Sequence, residues 1–329
     1  MIAGQVTMKK LISIVAPMYN EEASAREYCD EALKLAEQIK GSYDTEVLLV
    51  NDGSKDSTFA IMQEQQKLHP DVFSVVALSR NFGLEGAVHA GLAKASGDAV
   101  VVMDADLQDP LSLIPEMIRK WENGADIVVA SRIKRSNDSF FKKLGARFYY
   151  KVLDSLSGKL KLEKSAANFR LLSRKAVNQV MSLPEVNSVF RVVVPFVGMK
   201  TDKVEYDRDK RYAGKTKYSL KSMIPYALDS ITGISVAPLR KIAFLVPVFL
   251  LASFVSLVLA LVLSGGWMFF WTAMCVACFV FSIFSVALSV MAEYLAQLMI
   301  EVKGRPVSIV YSFEQSLSAK RHQESEEDR

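Results

Sequence analysis

The chain has 329 residues, 40 Lys plus Arg against 36 Asp plus Glu for a formal net charge of +4, and 50% hydrophobic residues. That apolar content supports at least one sizeable core and excludes disorder over most of the length. The small positive excess comes with no long basic run and no RNP-like aromatic motif, which argues against nucleic acid and suits anionic lipid or phosphate. Three cysteines, Cys29, Cys275 and Cys278, cannot build a disulfide framework, so a reducing compartment is expected for the catalytic part.

Met1 to Lys10 leads into a strand-like run rather than a longer apolar region with a small-residue cleavage site. No signal peptide is expected, and the N-terminus is placed in the cytoplasm. LISIVAP, EVLLVND, SVVALSR, AVVVMDAD and DIVVASR then read as strands, and 22–39, 58–68, 85–95 and 112–123 as helices. Nearly continuous apolar strands alternating with helices predict an α/β fold, Rossmann-like, with a mostly parallel sheet covered on both faces. Ligands of such sheets collect at the carboxyl ends of the strands.

Composition changes after Lys241: residues 242–292 contain no Asp, Glu, Lys or Arg. Segments 242–263 and 267–290, broken at Ser264, Gly265 and Gly266, are each long enough for a hydrocarbon core of roughly 30 Å. A two-helix transmembrane hairpin is expected, against a buried helical pair as the blander reading. Arg240 and Lys241 before it and Lys303 and Arg305 after it place both flanks in the cytoplasm. Residues 219–241 suit a helix along the membrane surface, and 293–329 form a cytoplasmic tail ending in a frayed RHQESEEDR. The expected divisions are therefore 1–218, 219–241, 242–292 and 293–329.

Each polar cluster of the first half falls where a strand ends: Met18-Tyr19-Asn20-Glu21-Glu22, Asn51-Asp52-Gly53-Ser54, and Asp104-Ala105-Asp106-Leu107-Gln108. Together they would form one rim, and an Asp-x-Asp leaving an apolar strand suits a hard divalent cation that also binds diphosphate oxygens. The blander readings are solvated loop acids, turn chemistry for Asp52, a solvated face for the basic residues 132–143, and an N-terminal dipole partner for Glu85, which stays outside the site. His69, His89 and His322 show no ligand spacing and are assigned to no metal; Cys275 and Cys278 read as packing residues. No Gly-x-Gly-x-x-Gly follows a strand and no P-loop motif occurs, so dinucleotide and P-loop readings lose their support.

Seven segments, APMYNEE (16–22), VNDGSKDST (50–58), SRNFGLEGAVHAGLAKASGD (79–98), MDADLQDP (103–110), ANFRLLSRKAV (167–177), RYAGKTKYSL (211–220) and EVKGRPVSIV (301–310), occur in an order that resembles the family 2, GT-A-type polyprenyl-phosphate glycosyltransferases, among them bactoprenol glucosyltransferases and dolichol-phosphate mannose synthase. The resemblance covers nearly the whole chain. It implies that Pro17, Tyr19 and Glu21, with Asp52, hold the nucleotide's base and ribose. Asp104, Asp106 and Gln108 would take Mg2+ or Mn2+, Arg132 and Lys142 would sit near the acceptor phosphate, and Arg211, Lys215 and Lys217 would clamp the donor diphosphate. Asp104, Asp106, Arg132 and Lys142 are then the catalytic set. Many relatives have Asp-x-Gly-Asp-Phe-Arg where this chain has Ser165-Ala166-Ala167-Asn168-Phe169-Arg170, and Asn51 stands where Asp is common.

The resemblance implies inverting transfer of a hexose, glucose from UDP-glucose, to undecaprenyl phosphate at the cytoplasmic face of a bacterial inner membrane, by a multi-pass homo-oligomer, with a tetramer suggested by analogy. The partners are then a nucleotide sugar, undecaprenyl phosphate and the lipid bilayer. Two alternatives stay open: a transferase with another donor sugar or a glycan acceptor, although the chain lacks the Gln-x-x-Arg-Trp of processive synthases, and a non-catalytic sugar-nucleotide-binding subunit, favoured by Ser165 and Asn168.

Overall fold

The computed structural model describes residues 9–132, 166–184, 189–206 and 266–327. The chain forms two compact units, one of Met1–Ala146, Leu160–Ser219 and Pro306–Arg329, the other of Arg147–Lys159 and Leu220–Arg305. The first is an α/β unit with strands β1 (Lys10–Met18), β2 (Tyr43–Asn51), β3 (Phe73–Leu78), β4 (Ala99–Val102), β5 (Ile127–Arg132), β6 (Ala166–Ser173), β7 (Thr201–Tyr206) and β8 (Val310–Glu314). Its helices are α1 (Glu22–Ile39), α2 (Thr58–Leu68), α3 (Gly83–Lys94), α4 (Ile114–Glu122), α5 (Arg174–Met181), α6 (Phe190–Phe196) and α8 (Leu317–Glu327); α7 (Gly266–Lys303) belongs to the second unit.

The strands form one sheet in the order β7-β5-β6-β4-β1-β2-β3-β8. β1 pairs in parallel with β2 and β4, β2 with β3, and β5 with β7, while β6 and β8 run antiparallel to their neighbours. The apolar run of β1 follows from its central position. Ile12, Ile14, Ala16 and Met18 join Tyr28 of α1, Met62 of α2 and Met117 of α4 in one core. On the other face, Val15 of β1 belongs to a second core with Val88 of α3, Val177 of α5 and Phe190 of α6. Both faces of the strand are thus dry, as a helix-covered parallel sheet requires.

Two expectations change at the C-terminus. Residues 310–327 are no appended tail: β8 extends the sheet beside β3, Ser316 N donates to Ser74 Oγ at 2.8 Å, and Leu317 N donates to the Pro70 carbonyl at 2.8 Å. RHQESEEDR is not frayed as expected, since α8 carries it through Glu327 with Ala319 and His322 buried. A short edge strand followed by a packed helix covers the open edge of β3, which would otherwise invite pairing with another chain.

The expected membrane segments have a different standing. Residues 207–265, on which the expected interfacial helix, first span and basic loop fall, lie outside the described residues. The second span falls within α7, 38 residues long. Among the described residues no helix is long and apolar enough to cross a membrane. The side chains of Trp267, Trp271, Cys275 and Cys278 lie outside the described residues.

Candidate active site

The carboxyl ends of β1, β2 and β3 are laced together by short polar side chains. Asn20, in the left-handed region at φ 51°, accepts from Lys55 N at 2.8 Å through Oδ1, while its own N–H donates to Ser54 Oγ at 3.1 Å. Glu21 N donates to Thr58 Oγ1 at 2.8 Å, and Asn51 Oδ1 accepts from Ser54 N at 3.0 Å. Gly53 is required here, because a Cβ would lie 2.6 Å from the Arg80 and Asn81 backbone.

Asp52 ties this rim to α3. Its carboxylate accepts from Phe82 N at 2.6 Å and Gly83 N at 3.0 Å, satisfying donors at the helix start that no residue of the helix can reach. Only 3% of Asp52 is exposed. Burial pushes its carboxyl up to about 6, opposed by these two hydrogen bonds and by Arg80.

The fourth strand end carries the acids. Burial pushes the Asp104 carboxyl up, and the charges of Asp106 and Asp109 add to the shift; Arg191 and a hydrogen bond with Asn168 oppose it. Asn168 reaches this place because β6 runs antiparallel beside β4. Its Oδ1 accepts from Arg191 Nε at 2.9 Å. Asp106 Oδ1 accepts from Gln108 N at 3.2 Å, closing the loop, and Leu107 takes the left-handed region at φ 56°. Asp109 is buried and accepts from the Tyr206 hydroxyl of β7. Asp104, Asp106, Asp109 and Gln108 offer oxygen donors alone, and the charges of Asp106 and Asp109 both push the Asp104 carboxyl up; in donor type the residues present fit a hard divalent cation such as Mg2+ or Mn2+.

Residues 13–181 match the sequence profile of glycosyl transferase family 2. The chain belongs to glycosyl transferase family 2. Among its relatives, the uncharacterized glycosyltransferase YkcC of Bacillus subtilis (strain 168) is 38% identical, over 91% of this chain and 92% of that protein. The prophage bactoprenol glucosyl transferase homolog of Escherichia coli (strain K12) is 36% identical over 91% and 98%, and the SfII prophage-derived bactoprenol glucosyl transferase of Shigella flexneri is 35% identical over 91% and 97%. The chain is a glycosyltransferase with the GT-A α/β fold.

In this family 2 transferase Pro17, Tyr19, Glu21, Asp52, Asp104, Asp106 and Gln108 all occupy strand ends or the loops leaving them on one edge of the sheet. Arg132 ends β5 opposite Tyr206 of β7. Lys142, Arg211, Lys215 and Lys217 lie outside the described residues. Sequence reasoning missed Asp109 and Arg191 at the acidic end, set Glu85 outside the site, and noted Asn168 only as a departure from the acid common in relatives. Glu85 does more than face the dipole of its own helix: its Oε2 accepts from Phe190 N at 2.8 Å, at the start of α6. Burial pushes its carboxyl up, countered by that bond and by Arg191, and Asp104 adds a small upward push.

A pH dependence follows from Asp52. Its folded carboxyl holds a proton to about 6, above the ordinary 3.8. Between those values the folded state binds more protons than the unfolded state, so this group makes stability fall as pH rises through the window. Urea midpoints of the wild type should therefore decline from pH 4 to pH 6 more steeply than those of Asp52→Asn, which cannot ionise. Parallel profiles would reject the assignment.

Proposed function

We propose that this family 2 transferase moves a hexose, glucose from UDP-glucose, to undecaprenyl phosphate or a similar polyprenyl phosphate at the cytoplasmic membrane face, with inversion and without a covalent enzyme intermediate. The acidic strand end of Asp104, Asp106 and Asp109 carries the reading, beside a rim whose turns suit a nucleoside. Relatives named for bactoprenol glucosyl transfer match nearly the full chain and support the acceptor class.

A divalent cation bound by Asp104, Asp106 and Gln108 would offset the charge that develops on the departing nucleoside diphosphate. The chain's own residues then position and shield. Asn20, Asp52 and Gly53 fix the turns on which the nucleotide rests. Arg191, oriented by Asn168, supplies positive charge beside Asp104. The amide at Asn168 adds no negative charge next to an acid that already feels two others. No carboxylate base is needed at that position, because a phosphate monoester with a second pKa near roughly 6 is largely an anionic nucleophile at neutrality.

The membrane reading rests on composition and on α7. Residues 266–292 carry no charge, and the described side chains of Phe269, Phe279, Phe284, Leu288, Leu295 and Leu298 are exposed. Counted over the full sequence rather than the described residues alone, that uncharged stretch would be about 40 Å long as a helix at 1.5 Å per residue, against a hydrocarbon core of roughly 30 Å. An uncharged and mostly apolar sequence of that length belongs in lipid or deep inside protein.

The test is purified full-length protein in undecaprenyl-phosphate vesicles with Mg2+ or Mn2+ and a panel of nucleotide sugars, read by product mass. A polyprenyl-phosphate hexose from UDP-glucose is expected. Donor binding without glycolipid from any sugar would favour the binding subunit, and transfer only to a glycan primer would move the acceptor.

A further inference from the structure

At the amino-terminal end of β4, remote from Asp104, three side chains from two distant parts of the chain converge. Asp98 immediately precedes the strand, and His322 and Glu326 stand one turn apart on α8. His322 is only 9% exposed, yet its Nε2 has no hydrogen-bond partner. The atoms it faces are Asp98 Oδ2 at 3.6 Å and Glu326 Oε1 at 3.8 Å. All three ligand atoms lie within 4.8 Å of one another.

Those separations decide between two ways of satisfying the imidazole. A proton on Nε2 would need an oxygen within about 3.2 Å, and neither carboxylate comes that close. Two atoms bound tetrahedrally to one ion at about 2.0–2.2 Å stand about 3.3–3.6 Å apart, so the two imidazole–carboxylate pairs are at or near that spacing, and the two carboxylate oxygens, within 4.8 Å of each other, supply the rest of the closure. Glu326, 62% exposed at the side chain, is free to supply that movement. Asp98 is already oriented, because its Oδ2 accepts from Leu11 N at 2.8 Å.

We infer that Asp98, His322 and Glu326 form a second cation site, of the Zn2+ class, that staples α8 to the amino-terminal end of the sheet. One imidazole and two carboxylates, with a fourth position open to water, suit Zn2+ better than the all-oxygen set at Asp104 does. Arg174 of α5 is a positive group that interacts electrostatically with both Glu326 and Asp98. Its Nε donates to the Gly97 carbonyl at 2.9 Å and its Nη2 to the Ala95 carbonyl at 2.9 Å, which fixes the turn that carries Asp98. Gln323 Nε2, donating to Ser96 Oγ at 2.8 Å, seats the helix on the same turn. These contacts pre-form the site before any ion binds; the ion removes the last freedom of the helix end.

The experiment uses full-length protein in detergent, stripped by chelator and kept in excess Mg2+, with Zn2+ titrated calorimetrically and α8 followed by limited proteolysis. One Zn2+ per chain and slower cleavage within α8 are expected. Glu326→Gln, a surface change that leaves the core untouched, should weaken Zn2+ by at least about 10-fold and remove the protection, with hexose transfer unchanged. His322→Gln should do the same, and Asp106→Asn should bind Zn2+ like the wild type. Wild-type titrations from both Glu326→Gln and His322→Gln, loss of the Zn2+ signal in Asp106→Asn, or no Zn2+ binding at all would each overturn the site.

Discussion

Asp104→Asn and Asp106→Asn are each expected to lower hexose transfer by about 10²–10³-fold, the range for removing one preorganised electrostatic contact to a developing charge. The two should part company in stability. The Asp104 carboxyl is pushed up first by burial and then by Asp106 and Asp109, so the folded protein holds that proton to higher pH than the unfolded chain does. Ionising Asp104 at neutral pH therefore costs stability, and the cost vanishes as pH falls through the folded-state value. Asn removes the charge while keeping an oxygen for the neighbouring donors. Metal-free Asp104→Asn should melt above the wild type at pH 7, by about 2–4 °C for each kcal/mol relieved in a domain of this size, and the difference should shrink on acidification and be gone by about pH 4, the ordinary carboxylate value. Scanning calorimetry with glycolipid assays on the same samples checks both halves. A variant that is both less active and less stable would mean that the acids are structural rather than gathered for a ligand.

The same repulsion explains why part of this site was legible in the sequence. Asp104 and Asp106 leave a strand whose apolar residues are continuous, and strands buried on both faces announce themselves locally. β1 to β5 were readable for that reason, α1 to α4 by the amphipathic segments between them, and with the strands every rim residue that follows directly from a strand end. β7 was hidden because TDKVEY buries only Val204 and Tyr206 and presents polar residues elsewhere. β8 was hidden because five residues after a long apolar helix give no sign of the edge they join.

The missed site residues depend on pairings that no local pattern encodes. Asn168 faces Asp104 only because β6 inserts antiparallel between β4 and β5. Glu85 finds its partner 105 residues along the chain. His322 looked isolated because its neighbours in space come from its own helix and from the start of β4, and a spacing rule sees only the first. In each case the residue type was informative and the topology was needed to say what it was near.

The return of the C-terminus to the sheet changes how the membrane reading has to be tested. Ending the chain at residue 241 would remove β8 and α8 along with the apolar stretch. It would bare the edge of β3 from Val75 to Leu78, leave Ser74 without Ser316 N, and expose the face that Ala319 and His322 cover. Such a truncation should aggregate, and its inactivity would say nothing about lipid. Replacing 242–303 by a flexible linker keeps every strand of the sheet. The excised protein is expected to stay folded by circular dichroism and to transfer hexose to a short, water-dispersible isoprenyl phosphate within about threefold of the intact chain. On long-chain acceptor in vesicles it should lose about 10²–10³-fold, because enzyme and acceptor no longer share a surface and the encounter reverts to a costly bimolecular event. A long-chain carrier cannot leave its bilayer cheaply, at about 0.8 kcal/mol for each buried methylene, so the enzyme has to come to it. Full activity of the excised protein on membranes would show that the apolar stretch serves something other than meeting the acceptor.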